Sequence, residues 1–149
     1  MQNTELLIAQ GNTFREQHQP EMALQQYMHA MVQDRYSASA FNNYGNVLRE
    51  LGDPAGAIPF NQRAVQLDSN TVTNHFNLAV AYLMSGDYAQ GWPAYEARHN
   101  FEHLKGTLPE YPWPVWNSED LQGKSIFVRG EQGHGYIIQF VRFVQNLKN

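Results

Sequence analysis

Asparagines and arginines recur in this sequence one period of 34 residues apart, a spacing at which they could act together. Asn43 and Asn77 form one such pair, Asn12 and Asn46 a second, Arg15 and Arg49 a third, and Asn42 adjoins the set. An asparagine side chain offers both a donor and an acceptor. A ladder of them can therefore grip the backbone of an extended peptide whatever its sequence. The arginines could take a carboxylate, from an acidic partner or a chain end. Each is followed directly by a glutamate, Glu16 or Glu50, which partly cancels its field, and a solvated, self-paired face is the stronger expectation there. The asparagines also have a plain alternative, capping turns of neighbouring helices or facing water.

Other constellations are weaker. His99-x-x-Glu102-His103 spells a metalloprotease-like pattern with its histidines four apart, but no third ligand segment accompanies it. Histidines near a helix C-terminus are in any case favoured by the dipole. No metal and no cofactor is expected. There are no cysteines, which removes disulfides and thiolate chemistry together. No nucleophile elbow supports serine catalysis, so no catalytic residue is assigned.

Helices must position the asparagine and arginine columns, and an internal repeat says which helices. Shifted by 34 residues, Gly11 falls on Gly45 and Ala79, Ala23 on Ala57 and Gly91, and Ala30 on Ala64. Small residues at fixed places let two antiparallel helices approach closely, so each period reads as one helix pair. Tyr44, Val47, Leu48 and Leu51 recur at the steps of one helical face. Gly52-Asp53-Pro54 ends one helix, caps the next and sets proline at its first position. Gly86-Asp87 does the same without the proline, and His18 shares the glycine column. Pro59 and Pro93, about a turn into the second helices, predict a late start or a bend.

The chain has 149 residues, 42% hydrophobic and 13% aromatic, enough to bury a core. Its formal charge of −4 and lack of a basic stripe argue against nucleic-acid binding. No apolar run approaches the ~20 residues that span a bilayer, and no signal peptide is visible. Fourteen glutamines and thirteen asparagines against 16% charged residues predict an amide-rich surface, and a cytoplasmic protein is expected.

Residues 4 to 103 resemble the tetratricopeptide repeat family. The second repeat offers Phe41, Tyr44-Gly45, Leu48, Ala57 and Ala64, and the third Leu78-Ala79, Tyr82, Tyr88, Gly91 and Tyr95. It departs from the family at Asn61, where an aromatic is usual, at Arg98 for the last alanine and at Ser69 for proline. The resemblance implies an α-solenoid of three helix-turn-helix repeats (4–37, 38–71 and 72–103) with a concave, partner-binding face. Repeats of the protein O-GlcNAc transferase type are similar in carrying an asparagine ladder. The inward residues would be Asn12, Arg15, Asn42, Asn43, Asn46, Arg49 and Asn77.

Beyond residue 103 the period breaks. A linker rich in proline and tryptophan (104–123) runs into Gly123-Lys124-Ser125-Ile126-Phe127-Val128-Arg129-Gly130, which reads as one strand. A glycine-rich bend and an amphipathic run from Ile137 to Leu147 follow, predicting a single βα unit over 124–149. Glu131-Gln132-Gly133-His134-Gly135 and its neighbours resemble bacterial tetratricopeptide proteins whose repeats lead into a heptosyltransferase-like glycosyltransferase domain. In that family the bend usually ends in an aspartate, a candidate general base. Tyr136 stands there in this sequence, and a phenol with a pKa of about 10 is a poor base. One strand and one helix are also far less than such an enzyme needs, so the chain is expected to be inactive alone.

The function expected is binding of a protein or extended peptide in the repeat groove. Two alternatives stand beside it: the acceptor-recognition part of a longer glycosyltransferase, or a scaffold that self-assembles through its repeat ends or the βα unit.

Overall fold

In a computed structural model of the chain, residues 2–102, 112–116, 119–128 and 144 are described. The chain divides into two units, Met1–Lys105 and Gly106–Asn149. The first holds six helices: α1 (Gln2–Glu16), α2 (Pro20–Gln33), α3 (Ala38–Glu50), α4 (Pro54–Leu67), α5 (Val72–Ser85) and α6 (Tyr88–Tyr95), followed by a 3-10 helix, Glu96–Asn100. The second helices begin at residues 20, 54 and 88, so the 34-residue period of the sequence is the period of the fold.

Local chemistry sets the boundaries. Asp53 caps α4 by accepting from the Gly56 N–H at 2.8 Å, and Asp87 caps α6 by accepting from Gln90 at 3.1 Å. The Ser37 hydroxyl faces the Ala40 N–H at the start of α3. Each cap satisfies a donor that the helix itself leaves open. The Gln19 side chain makes no such bond, and α2 begins on Pro20 instead. All three turns within the helix pairs are built alike. His18, Gly52 and Gly86 adopt φ of 58°, 86° and 88°. The residue after each donates to the carbonyl five back, Gln19 to Phe14, Asp53 to Leu48 and Asp87 to Tyr82, all at 2.9 Å. This left-handed stop closes the open carbonyls of the preceding helix.

The prolines do not delay the second helices. α4 begins at Pro54 and carries Pro59 inside it, so its start is not late. Pro59 is exposed, on the side of the helix where water can reach the backbone. α6 likewise contains Pro93, and gives way to 3-10 geometry after Tyr95.

Close packing of each pair follows from its smallest residues. A Cβ on Gly11 would fall 2.5 Å from the Tyr27 ring, and one on Gly45 only 2.1 Å from Asn61 Oδ1. Tyr27 lies fully buried with Ala23 and Val47, and Ile8, Phe14, Leu24 and Tyr44 close around them. Ala30, Ala40, Ala57, Ala64, Ala79 and Ala81 have no exposed surface. Successive first helices touch, α1 on α3 and α3 on α5, whereas successive second helices do not. The first helices therefore form the inner, more tightly curved layer.

In the second unit the Trp113 ring lies 6.0 Å from that of Phe127, and Trp116 Nε1 donates to the Glu119 carbonyl at 2.8 Å. The strand expected over 123–130 is not formed in its described part: Gly123 to Val128 carry no ladder pairing. β-branched and aromatic content suits a strand, but a lone strand has nowhere to place its backbone donors and acceptors. The rest of the expected βα unit, with Glu131, Gln132, Gly133 and Gly135, lies outside the described residues.

Candidate functional site

The inner layer carries the asparagines, and they bond chiefly to one another. Asn77 on α5 donates through Nδ2 to Asn42 Oδ1 on α3 at 2.9 Å. Asn42 Nδ2 reaches Asn43 Oδ1 at 3.5 Å, and Asn43 Nδ2 donates to Asn12 Oδ1 on α1 at 3.2 Å. The Tyr27 hydroxyl donates to the same oxygen at 2.7 Å. One chain of amides thus crosses all three inner helices and ends on α2.

These partners are not the columns of the repeat. The bonded residues stand 31 or 35 positions apart, not 34. The two spacings differ by one helical turn, so one residue of an inner helix faces a row of fourth neighbours on the next. Arg15 obeys the same rule. Its Nε lies 3.0 Å from both carboxylate oxygens of Glu50, 35 positions on, and its Nη2 also bonds that carboxylate. The adjacent Glu16 is left out. Bonding to Glu50 raises the Arg15 pKa from its ordinary value, against the opposing pull of burial.

Burial separates the seven expected groove residues. Asn12, Arg15 and Asn43 line an open cleft of about 780 Å³ together with Glu16, His18 and Glu50. Asn42, Asn46 and Asn77 instead are buried, at 6–7% exposure, and serve the packing between helices. Arg49 is half-buried, and its Nε has no acceptor. Desolvation lowers its pKa from the usual arginine value, while the nearby Glu50 works the other way. Asn46 Oδ1 and both polar atoms of Asn61 are also buried without a partner. The alternative role for asparagine, closing a neighbouring helix, is taken by Asn74. This buried residue donates to the Asp68 carbonyl at 3.1 Å, at the end of α4.

At the far end of the unit Phe76, an inner-helix residue, is covered by Tyr95 and Phe101, each with ring centres 5.4 Å away. The Arg98 guanidinium lies 4.8 Å over the Tyr95 ring. His99 meets Glu96 at 3.2 Å within the 3-10 helix. The α-helix ends at Tyr95 and Phe101 is extended, and residue 103 lies outside the described residues. No cluster of three metal-ligating side chains occurs among the described residues. No helix among them is long and apolar enough to cross a membrane.

Reasoning from sequence missed Glu50 as Arg15's partner and Asn61 as a buried polar residue facing a glycine. The Asn61 departure from the repeat pattern was the available signal.

No protein-family model matches the chain. Among curated proteins, Protein FlbA of Caulobacter vibrioides is 23% identical over an alignment that takes in 89% of this chain and 28% of that protein. The chain thus spans less than a third of that relative's length. Solved structures are similar to the helical unit. The first TPR of Spaghetti (RPAP3), bound to the HSP90 peptide SRMEEVD, matches with a TM-score of 0.65 at 20% identity, over 68% of this chain and 83% of that one. The TPR domain of Arabidopsis OM64 matches with a TM-score of 0.65 at 18% identity, over 71% of this chain and 88% of the other. Three antiparallel helix pairs in register, a common turn and these likenesses lead to one conclusion: the helical part of the chain has the tetratricopeptide repeat fold.

Proposed function

We propose that this protein is an interaction module that holds an extended peptide, or an extended segment of a protein, against its inner helices. The observation that carries the reading is the cleft where Asn12 and Asn43 meet Glu16 and Glu50. At its Asn12 end the amide chain leaves N–H groups open. Asn12 Oδ1 accepts twice while its Nδ2 makes no bond among the described residues, and Asn43 Nδ2 commits one of its two hydrogens. Donors fixed in this way suit the carbonyls of a peptide backbone, independent of its side chains. The peptide held by the RPAP3 repeat of the same fold supports the reading.

The test is a paired substitution on the cleft wall. Asn12→Ala with Asn43→Ala removes two exposed or half-exposed amides and should weaken binding of an array-selected peptide about tenfold, the loss of one or two hydrogen bonds. Unchanged affinity by calorimetry would sink the proposal. Asn77 is unsuited to such a test because it is buried on Asn42, so its loss would act through the fold.

A second reading, in which the repeats present an acceptor to a glycosyltransferase domain, rests on the sequence around Glu131–Gly135.

A further inference from the structure

We infer that the cleft selects extended peptides carrying a basic side chain, directed at Glu16, and discriminates against acidic ones. The inference rests on the peptide-groove reading and adds its charge specificity.

Three observations carry it. First, the cation that lines the cleft is already engaged: the Arg15 guanidinium is bonded along its edge to Glu50 across the repeat boundary. An incoming carboxylate would have to displace Glu50, which holds both its oxygens on that edge. Second, Glu16 is exposed on the cleft wall and makes no ion pair among the described residues. With Arg15 bonded to Glu50, Glu16 is the charge on the cleft wall that has no ion-pair partner among the described residues. Third, the surrounding field has the same sign. Up to residue 102 the chain has five arginines, Arg15, Arg35, Arg49, Arg63 and Arg98, no lysine, and ten carboxylates. Arg49, the other inner-helix cation, is half-buried and does not line the cleft. An unpaired carboxylate on the wall of a unit with net negative charge raises the local concentration of positive ligands and repels negative ones. The heptapeptide on the RPAP3 repeat carries three acidic side chains against one arginine, so the two grooves would share a fold and oppose each other in charge.

The experiment uses the full chain on a randomised array of eight-residue peptides at low salt. Lysine and arginine should be enriched among bound peptides, and aspartate and glutamate depleted. The substitution Glu16→Gln lies at an exposed position and should keep the fold by circular dichroism. It should lower affinity for a selected basic peptide about two- to fivefold, the scale of one exposed ion pair, and leave its lysine-to-glutamine analogue unchanged. Glu50→Gln frees Arg15 and should raise binding of SRMEEVD by a similar factor. Enrichment of acidic peptides, or a basic preference untouched by Glu16→Gln, overturns the charge assignment while the groove reading stands. Binding of no peptide by the folded chain overturns the groove reading itself.

Discussion

The Tyr27 hydroxyl lies 2.7 Å from Asn12 Oδ1, and one period later the same two positions hold Asn61 and Asn46 with no bond between them. The first pair closes a helix pair with a partly buried, satisfied hydrogen bond. In the second, an amide replaces the phenol, and its shorter side chain leaves three polar atoms of the two residues buried and unpartnered.

Replacing Asn61 by tyrosine should therefore stabilise the protein. Gly45 lies under Asn61 as Gly11 lies under Tyr27, so the ring has the same floor to rest on. A buried polar group without a partner costs about 1–3 kcal/mol, and recovering part of it predicts a gain of about 1–2 kcal/mol for Asn61→Tyr. Thermal unfolding reads this directly. Adding Asn46→Ala to the same chain should cancel most of the gain, and a loss of stability in the single variant would count against the account.

His18 is the turn residue held in a costly conformation. At φ 58° it occupies the left-handed region that Gly52 and Gly86 fill in the other two turns. That region costs a residue with a side chain about 1–2 kcal/mol. His18→Gly should stabilise by about 1 kcal/mol, partly offset by the greater freedom of glycine in the unfolded chain. Gly52→Ala should destabilise by a similar amount, although a Cβ there meets nothing within 4 Å, because the strain is in the backbone alone.

Asp68 supplies a pH signature. Its carboxylate accepts the Thr71 hydroxyl at 2.6 Å and the backbone N–H groups of Asn70 and Thr71. These bonds, the Thr71 hydroxyl first, hold its pKa below the ordinary aspartate value. A carboxyl with a folded pKa below its unfolded one stabilises fully above about pH 4, and that contribution is lost as pH falls through the folded value. The melting temperature of the wild-type chain should exceed that of Asp68→Asn by a constant margin from pH 7 to about 5, and the margin should close as pH falls below about 4. A margin that persists in strong acid would assign the effect to something other than this carboxylate.

Much of the helical fold is legible in the residues alone. Gly52-Asp53-Pro54 and Gly86-Asp87 encode their turns locally, through a left-handed residue, a capping carboxylate and a restrained φ. Small residues at 34-residue intervals encode where helices touch. The strand expected over 123–130 shows where such reading stops. Propensity for a strand is local, but a strand exists only through a neighbour, and Lys124–Val128 have none. Pro59 shows the limit from the other side. A helix held by packing on both sides of its proline absorbs the loss of one backbone bond.

By itself the sequence determined the period, the helices and their turns, since each depends on residues near one another, and it proposed a set of inward side chains. Only the tertiary structure decided what those inward side chains do. Columns 34 apart suggested that Asn43 and Asn77, Asn12 and Asn46, and Arg15 and Arg49 would act together. Packing of one inner helix against the next instead joins residues 31 and 35 apart, Asn43 to Asn12, Asn77 to Asn42, and Arg15 to Glu50. Repeat periodicity gives the translation from one helix to the next, but contact depends on how their side-chain rows interlock. That shift by part of a turn pairs one arginine, buries three asparagines and leaves Glu16 on the cleft wall without an ion-pair partner among the described residues.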